Sequence, residues 1–127
     1  MLPYINTFNF IKLNVIKKSK FNYIRTSKKR IIVIKLLLKY NVITGYKFIT
    51  RNKINFIKVY FNTNFPFFKL KNLCKLTNQR TLKHKHMLVL NNKYTDSKYI
   101  LSTSKGLLEL KEAIQLKIGG VLLFKIF

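Results

Sequence analysis

The segment YILSTSKGLLELKEAIQLKIGGVLLFKIF, Tyr99–Phe127, closes this chain of 127 residues and decides how its second half folds. An apolar strand-like run, Tyr99–Leu101, passes into a polar knot, Ser102-Thr103-Ser104-Lys105-Gly106. A run of helical character follows, with Glu109 and Glu112 early and Lys117 late, the charge order a helix dipole favours. Gly119-Gly120 is the expected stop for that short helix. The last apolar run, from Val121, reads as a strand.

Three chemistries compete for the knot. A phosphate loop needs G-x-x-x-x-G-K-[ST], but here the glycine follows the lysine and no upstream glycine stands at the right spacing. A serine nucleophile needs a base and an elbow or Ser-x-x-Lys pattern, and neither is present. The chain holds only His84, His86 and three carboxylates, so general acid–base chemistry has almost no players. The third chemistry is nucleic-acid contact. Hydroxyls donate and accept to bases, 2′-hydroxyls and phosphates, Lys105 supplies a cation, and Gly106 admits a close backbone. A helix starting just after the knot would aim free N–H groups at the same place. An ordinary strand-to-helix turn with a Ser/Thr cap also fits.

Charge weighs toward RNA. Lys+Arg number 26 against 3 Asp+Glu, a formal net charge of +23. So lopsided a chain repels itself and needs a partner of opposite sign. Nucleic acid fits best, because counterion release rewards each neutralised phosphate; an anionic membrane surface is the second class. Hydrophobic residues make up 48 %, enough for a core, which sets the chain apart from a disordered basic tail. No apolar run approaches the roughly 18 uncharged residues of a membrane span. Cys74, the sole cysteine, cannot form an intramolecular disulfide. Cys74, His84 and His86 lack zinc spacing, so a buried thiol and surface histidines in a lysine-rich strand are expected, with no metal and no cofactor. Lys, Asn, Ile, Phe, Tyr and Leu dominate while Gly is 4, Pro is 2 and Trp is absent. These are the residues of A- and T-rich codons, and an organelle genome is one natural source of such a bias.

Working upstream, Ile5, Phe8, Ile11 and Val15 or Ile16 recur at helical steps, with Pro3 suited to the first turn. In KFNYIRT, Phe21, Tyr23 and Arg25 share one side of a short strand. Ser27 caps a second helix through KKRIIVIKLLLKYN, with Ile31, Ile34, Leu37 and Leu38 as its stripe. Gly45 ends the next turn. YKFIT, the turn RNK and INFIKVYFN form a hairpin, with Asn52 in the tight turn. Pro66 marks a boundary. KNLCKLTNQRTLKHKHMLVL reads as β-like pieces with a turn near Thr77–Arg80. The fold class is therefore α+β: an N-terminal α-β-α-β-β subdomain over 1–62 and a mostly β subdomain with one short helix over 63–127.

The closing segment resembles the C-terminus of the S-eight family of small-subunit ribosomal proteins. The family's form is I-S-T-S-K-G, two hydrophobics, T-(D/H)-x-x-A-R, then G-G-E and a hydrophobic. Ser102 to Gly106 match throughout, and Ala113, Gly119 and Gly120 match at the right spacing. LLLKYNVITGYKFI and NKINFIKVYF resemble the family's N-terminal half. Departures are Glu109-Leu110 at the Thr-Asp place, Ile114 for the arginine and Val121 for the glutamate, and Asn78 stands in LTNQR where the family has a glycine turn. The resemblance implies a structural, non-enzymatic constituent of the small subunit. It would bind an irregular helix in the central domain of the small-subunit rRNA, support its assembly and touch neighbouring ribosomal proteins. Ser102, Thr103, Ser104, Lys105 and Gly106 are the expected RNA contacts, Gly119 and Gly120 the structural turn. Arg80, Lys83, Lys28, Lys29 and Arg30 are further phosphate candidates. The resemblance begins within a few residues of Met1, which leaves no room for a cleavable presequence and suits a gene in an organelle genome. A mitochondrion is expected, a plastid being the alternative. An RNA-binding regulator outside the ribosome and a membrane-surface protein using residues 3–18 are the competing classes.

Overall fold

The computed structural model describes residues 2–66, 69–74, 81–93 and 97–126. The chain forms two compact units, Leu2–Phe67 and Phe68–Phe127. Both mix helix and strand, as expected of an α+β protein.

The first unit runs α1 (Leu2–Ile16), β1 (Phe21–Arg25), α2 (Lys28–Lys39), β2 (Ile43–Arg51) and β3 (Ile54–Phe61), the expected α-β-α-β-β order. Its three strands form an antiparallel sheet in the order β1-β3-β2. In α1 the helical period places Ile5, Phe8, Ile11 and Val15 in the core, while Ile16 is 44 % exposed. That stripe is therefore used in packing, and α1 lies against α2 and β3. Buried Thr7 and Asn14 donate to the Pro3 and Phe10 carbonyls of the same helix at 2.7 and 2.8 Å, and the Asn14 Oδ1 accepts from the Asn22 side-chain amide of β1 at 3.0 Å. Ser27 caps α2 as expected, its hydroxyl accepting from the Arg30 N–H. The buried stripe of α2 is Val33, Ile34 and Leu37; Ile31 and Leu38 flank it half-buried. One correction concerns Gly45. It does not end the turn but lies inside β2, at a register shift against β3. The turn closes earlier, at Asn41, whose left-handed φ of 62° ends α2.

The second unit runs β4 (Leu70–Asn72), β5 (Thr81–Leu82), α3 (His84–Lys93), β6 (Lys98–Thr103), β7 (Gly106–Glu109), α4 (Leu110–Leu116) and β8 (Gly120–Ile126). The sheet order is β4-β8-β6-β7, and β5 also pairs with β8. β8 bulges at Leu123, because Ile100 faces Phe124 and Leu101 faces Leu122. The bulged carbonyl accepts from the Leu73 and Cys74 amides at 2.9 and 3.0 Å. Met87, Tyr99, Leu101, Leu110, Ala113 and Leu122 form one buried cluster between this sheet and helices α3 and α4.

Two expectations for this unit change. It has two helices, not one, since HKHMLVLNNK is helical rather than β. The four-residue apolar run Met87–Leu90 fits either state by pattern alone. In the helix, Met87 is buried and Leu90 packs half-buried beside it, while Val89 is 66 % exposed. The histidines accordingly sit on a helix: His86 is exposed, and His84 Nε2 lies 3.3 Å from the Ile114 carbonyl oxygen of α4. Cys74 is buried, as expected. The second change concerns α4, which is not stopped by the glycine pair. Lys117 at φ 56° donates to the Ile114 carbonyl and Ile118 donates to that of Ala113, a Schellman cap. No helix among the described residues is long and apolar enough to cross a membrane.

The β2–β3 hairpin turns on Asn52 and Lys53, with φ 49° and 63°. Two positive φ values in a two-residue loop define a type I′ turn, whose favoured second residue is glycine. A side chain in this region costs about 1–2 kcal/mol. Lys53→Gly is expected to stabilise the protein by up to about 1 kcal/mol, the remainder being offset by glycine's greater chain entropy. A thermal melt of variant and parent checks this, and a lower midpoint for the variant would contradict it.

Candidate nucleic-acid interface

The knot is a β-hairpin turn. Ser102 and Thr103 end β6, Ser104 and Lys105 make the turn, and Gly106 opens β7. Ser102 pairs with Leu107 and Thr103 with Gly106. This corrects the expectation that a helix begins just after the knot. Strand β7 intervenes, so the amino end of α4 lies at the far end of that strand and offers the knot no anion site.

The turn is held by its own residues. Thr103 Oγ1 donates to the Gly106 carbonyl at 2.8 Å and accepts from the Lys105 amide at 3.2 Å. Gly106 has φ +100°, where an L side chain is strained, although the space around it is open. Thr103's single O–H donor is thus engaged inside the turn. Ser102 and Ser104 differ: among the described residues neither hydroxyl has a hydrogen-bond partner. The pleat puts Ser102 on the face opposite buried Leu101. Ser104 and Lys105 are exposed. Behind the hairpin, Lys98 Nζ lies 3.4 Å from Glu109 Oε1.

Gly119 and Gly120 serve by being small. A Cβ on Gly120 would stand 2.6 Å from the Ser102 carbonyl oxygen and 2.8 Å from Thr103 Cγ2, and one on Gly119 would stand 2.7 Å from the Leu82 carbonyl oxygen. The pair lets β8 press against β6 on one side and β5 on the other, directly behind the turn. Lys83, exposed, follows β5, and its Cα is 3.8 Å from the place of the Gly119 Cβ. Ser102–Gly106, Gly119–Gly120 and Lys83 are therefore brought together.

The other sites belong to the first unit or are not described. Lys28 and Lys29 are exposed in the first turn of α2, with Lys29 Nζ 5.7 Å from the Tyr4 ring centre. Arg30 is half-buried, and its Nη1 donates to the Arg25 carbonyl at 3.0 Å. Arg80, the turn near Thr77–Arg80 and Asn78 lie outside the described residues. Ile114 packs half-buried against the Met87–Ala113 cluster, and Val121 pairs with Ser102. Both places that carry charge in the family's form are apolar here and lie in or beside packed surface. No group of three metal-ligating side chains occurs among the described residues.

This hairpin and its glycine backing are the residues that carry the C-terminal resemblance, and the family model described as Ribosomal protein S8 matches residues 5–127. The chain belongs to the ribosomal protein S8 family. No individual curated protein matches it significantly. Membership makes it a structural, rRNA-binding protein of the small ribosomal subunit, with rRNA and other ribosomal proteins as partners, and not an enzyme.

For a member of this family the tight backing of the hairpin gives a direct test. Gly120→Ala is expected to destabilise the protein by about 1–3 kcal/mol, since backbone must shift to admit the methyl group. Gly45→Ala is the control, because nothing lies within 4 Å of its Cβ position. Equal chemical-denaturation midpoints for the two variants would refute the close-packing role of Gly120.

Proposed function

We propose that the Ser102–Gly106 hairpin is the surface by which this protein reads an irregular helix in the central domain of the small-subunit rRNA, supporting its folding early in assembly. The carrying observation is that, among the described residues, two serine hydroxyls have no hydrogen-bond partner on a turn locked by its own threonine. A rigid turn presents hydroxyls without a large ordering cost on binding. Irregular and minor-groove RNA surfaces offer 2′-hydroxyls and base edges to such groups. In this reading Ser102 and Ser104 contact RNA, Thr103 holds their positions, Lys105 meets a phosphate and Gly106 permits the turn. Lys83, Arg80, Lys28, Lys29 and Arg30 add phosphate contacts that position the protein without reading sequence.

The particle is assigned to a mitochondrion, with a plastid as the alternative, on the codon-biased composition of the chain and the departures at Ile114 and Val121 from the family's form. Neighbouring small-subunit proteins complete the environment.

Replacing Ser102 and Ser104 with alanine is expected to weaken binding to the cognate rRNA helix by about 1–3 kcal/mol for each hydroxyl removed, with little effect on nonspecific RNA affinity. Filter binding against cognate and scrambled helices reads both. Equal weakening on the two RNAs, or none on either, would dismiss the readout role. In gradients of organelle lysate the protein should co-sediment with small subunits; confinement to the light fractions would favour an extra-ribosomal RNA-binding factor.

A further inference from the structure

The first unit has an open sheet face. Helices cover one side: Ile57, Val59 and Phe61 of β3 are buried there, and the Phe61 ring lies 6.3 Å from Phe10 of α1. The alternate residues form rows across the other side. Register places Phe21, Tyr60 and Gly45 in one row, Tyr23, Lys58 and Lys47 in the next, and Arg25, Phe56 and Ile49 in the third.

These residues make an aromatic surface threaded with cations. Phe21 is 46 % exposed, and Tyr23, Tyr60 and Phe56 are half-buried. Lys58 Nζ stands 4.2 Å from the Phe21 ring centre and 5.2 Å from that of Tyr60, while the Arg51 guanidinium is 5.4 Å from Tyr23. At the hairpin end a groove of about 320 Å³ is walled by Tyr23, Ile49, Ile54 and Phe56, with Arg51 and Asn52 at its rim.

Two features say what would cover this face. Lys47 and Lys58 are directly opposite across β2 and β3, an arrangement that is unfavourable unless an anion lies over it. The chain's acids are Asp96, Glu109 and Glu112, so the unit Leu2–Phe67 contains no carboxylate side chain to neutralise them. The charge must be met from outside, and the rings need a flat apolar partner. Unpaired nucleotides supply both: phosphates for the lysines and π-faces for the aromatics.

We propose that the open β1-β3-β2 face is a second RNA site that stacks unpaired bases on Phe21, Tyr23 and Tyr60. Lys58 is the switch between free and bound states. Its flexible stem lies over the rings in the free protein and swings to a phosphate when a base takes its place. Arg51 and the groove beside Tyr23 receive a further base. This site rests on the family's rRNA-binding role but is separate from the Ser102–Gly106 hairpin.

The chain has no tryptophan, so Phe21→Trp gives the full-length protein a single indole reporter on the face. Titration with a single-stranded oligoadenylate should quench its emission, because a base stacks on the indole. Inorganic polyphosphate of equal charge should bind without that quenching. Replacing Phe21 and Tyr60 together with leucine, with the fold checked by circular dichroism, should weaken oligoadenylate binding about 5- to 100-fold and leave polyphosphate binding unchanged. Ser102→Ala with Ser104→Ala should leave the quenching intact, which keeps failure of the hairpin reading distinguishable from failure of this one. Equal quenching by RNA and polyphosphate would reduce the face to electrostatics and overturn the proposal. No response to RNA would overturn it in favour of a protein neighbour docking on the aromatic surface.

Discussion

The approach of bare backbone at Gly120 to the Ser102 carbonyl is the constraint on which the second unit depends. β8 pairs with β6 along one edge and with β4 and β5 along the other, so it is the strand through which every other part of that sheet is placed. A methyl group at residue 120 would enter the backbone of Ser102, and one at residue 119 would enter that of Leu82. With hydrogen there, both neighbours close in and the β6–β7 hairpin is pinned just behind its turn. The Thr103 bonds then fix its tip. The hairpin's shape is thus set from behind by packing and from within by one hydroxyl, which frees the serines for contact outward.

Glycine use across the chain shows where smallness or unusual dihedrals cannot be replaced. Among the described residues, five adopt left-handed backbone without being glycine: Lys18, Asn41, Asn52, Lys53 and Lys117. Lys18, Asn41 and Lys117 close α1, α2 and α4 with the paired backbone bonds of a Schellman cap, where glycine is the usual choice. A sequence biased toward lysine and asparagine accepts the modest steric cost at such positions. It keeps glycine at 106, 119 and 120, three of its four. There the requirement is a φ of +100° or an approach closer than any Cβ could make, and no compromise residue serves. Scarcity elsewhere makes these three positions informative.

Legibility in the sequence followed the strength of local signals. The first unit was readable because α1 carries its apolar residues at helical steps, Ser27 offers a cap, and RNK sits between two alternating runs. The Ser102–Gly106 and Gly119–Gly120 pattern was readable as a motif. The expected helix directly after the knot failed because Leu107 and Leu108 suit a strand edge as well as a helix, and their pairing with Ser102 and Leu101 is decided by the sheet rather than by local pattern. Helix α3 was missed for a similar reason: its burial rests mainly on Met87 and Leu90, too few apolar positions to display a period. The open aromatic face was invisible because Phe21, Lys58 and Lys47 are scattered along the chain and meet only through strand register.

Charge is distributed unequally between the two units. The second unit holds all three acids, and Glu109 and Lys98 lie in contact behind the hairpin. The first unit has none, so its lysines repel one another with only solvent and ions to screen them. Added salt shortens that repulsion in the free protein, yet the same ions compete with every phosphate contact in the complex. Raising salt from about 50 to about 200 mM should therefore raise the melting temperature of the free protein while lowering its RNA affinity steeply. A melt and a binding isotherm measured on the same samples read the two responses. If both fell together, self-repulsion would not be what limits the free fold. Opposite slopes would mean that a polyanionic partner relieves a repulsion that the first unit cannot relieve from its own sequence, which holds no carboxylate side chain.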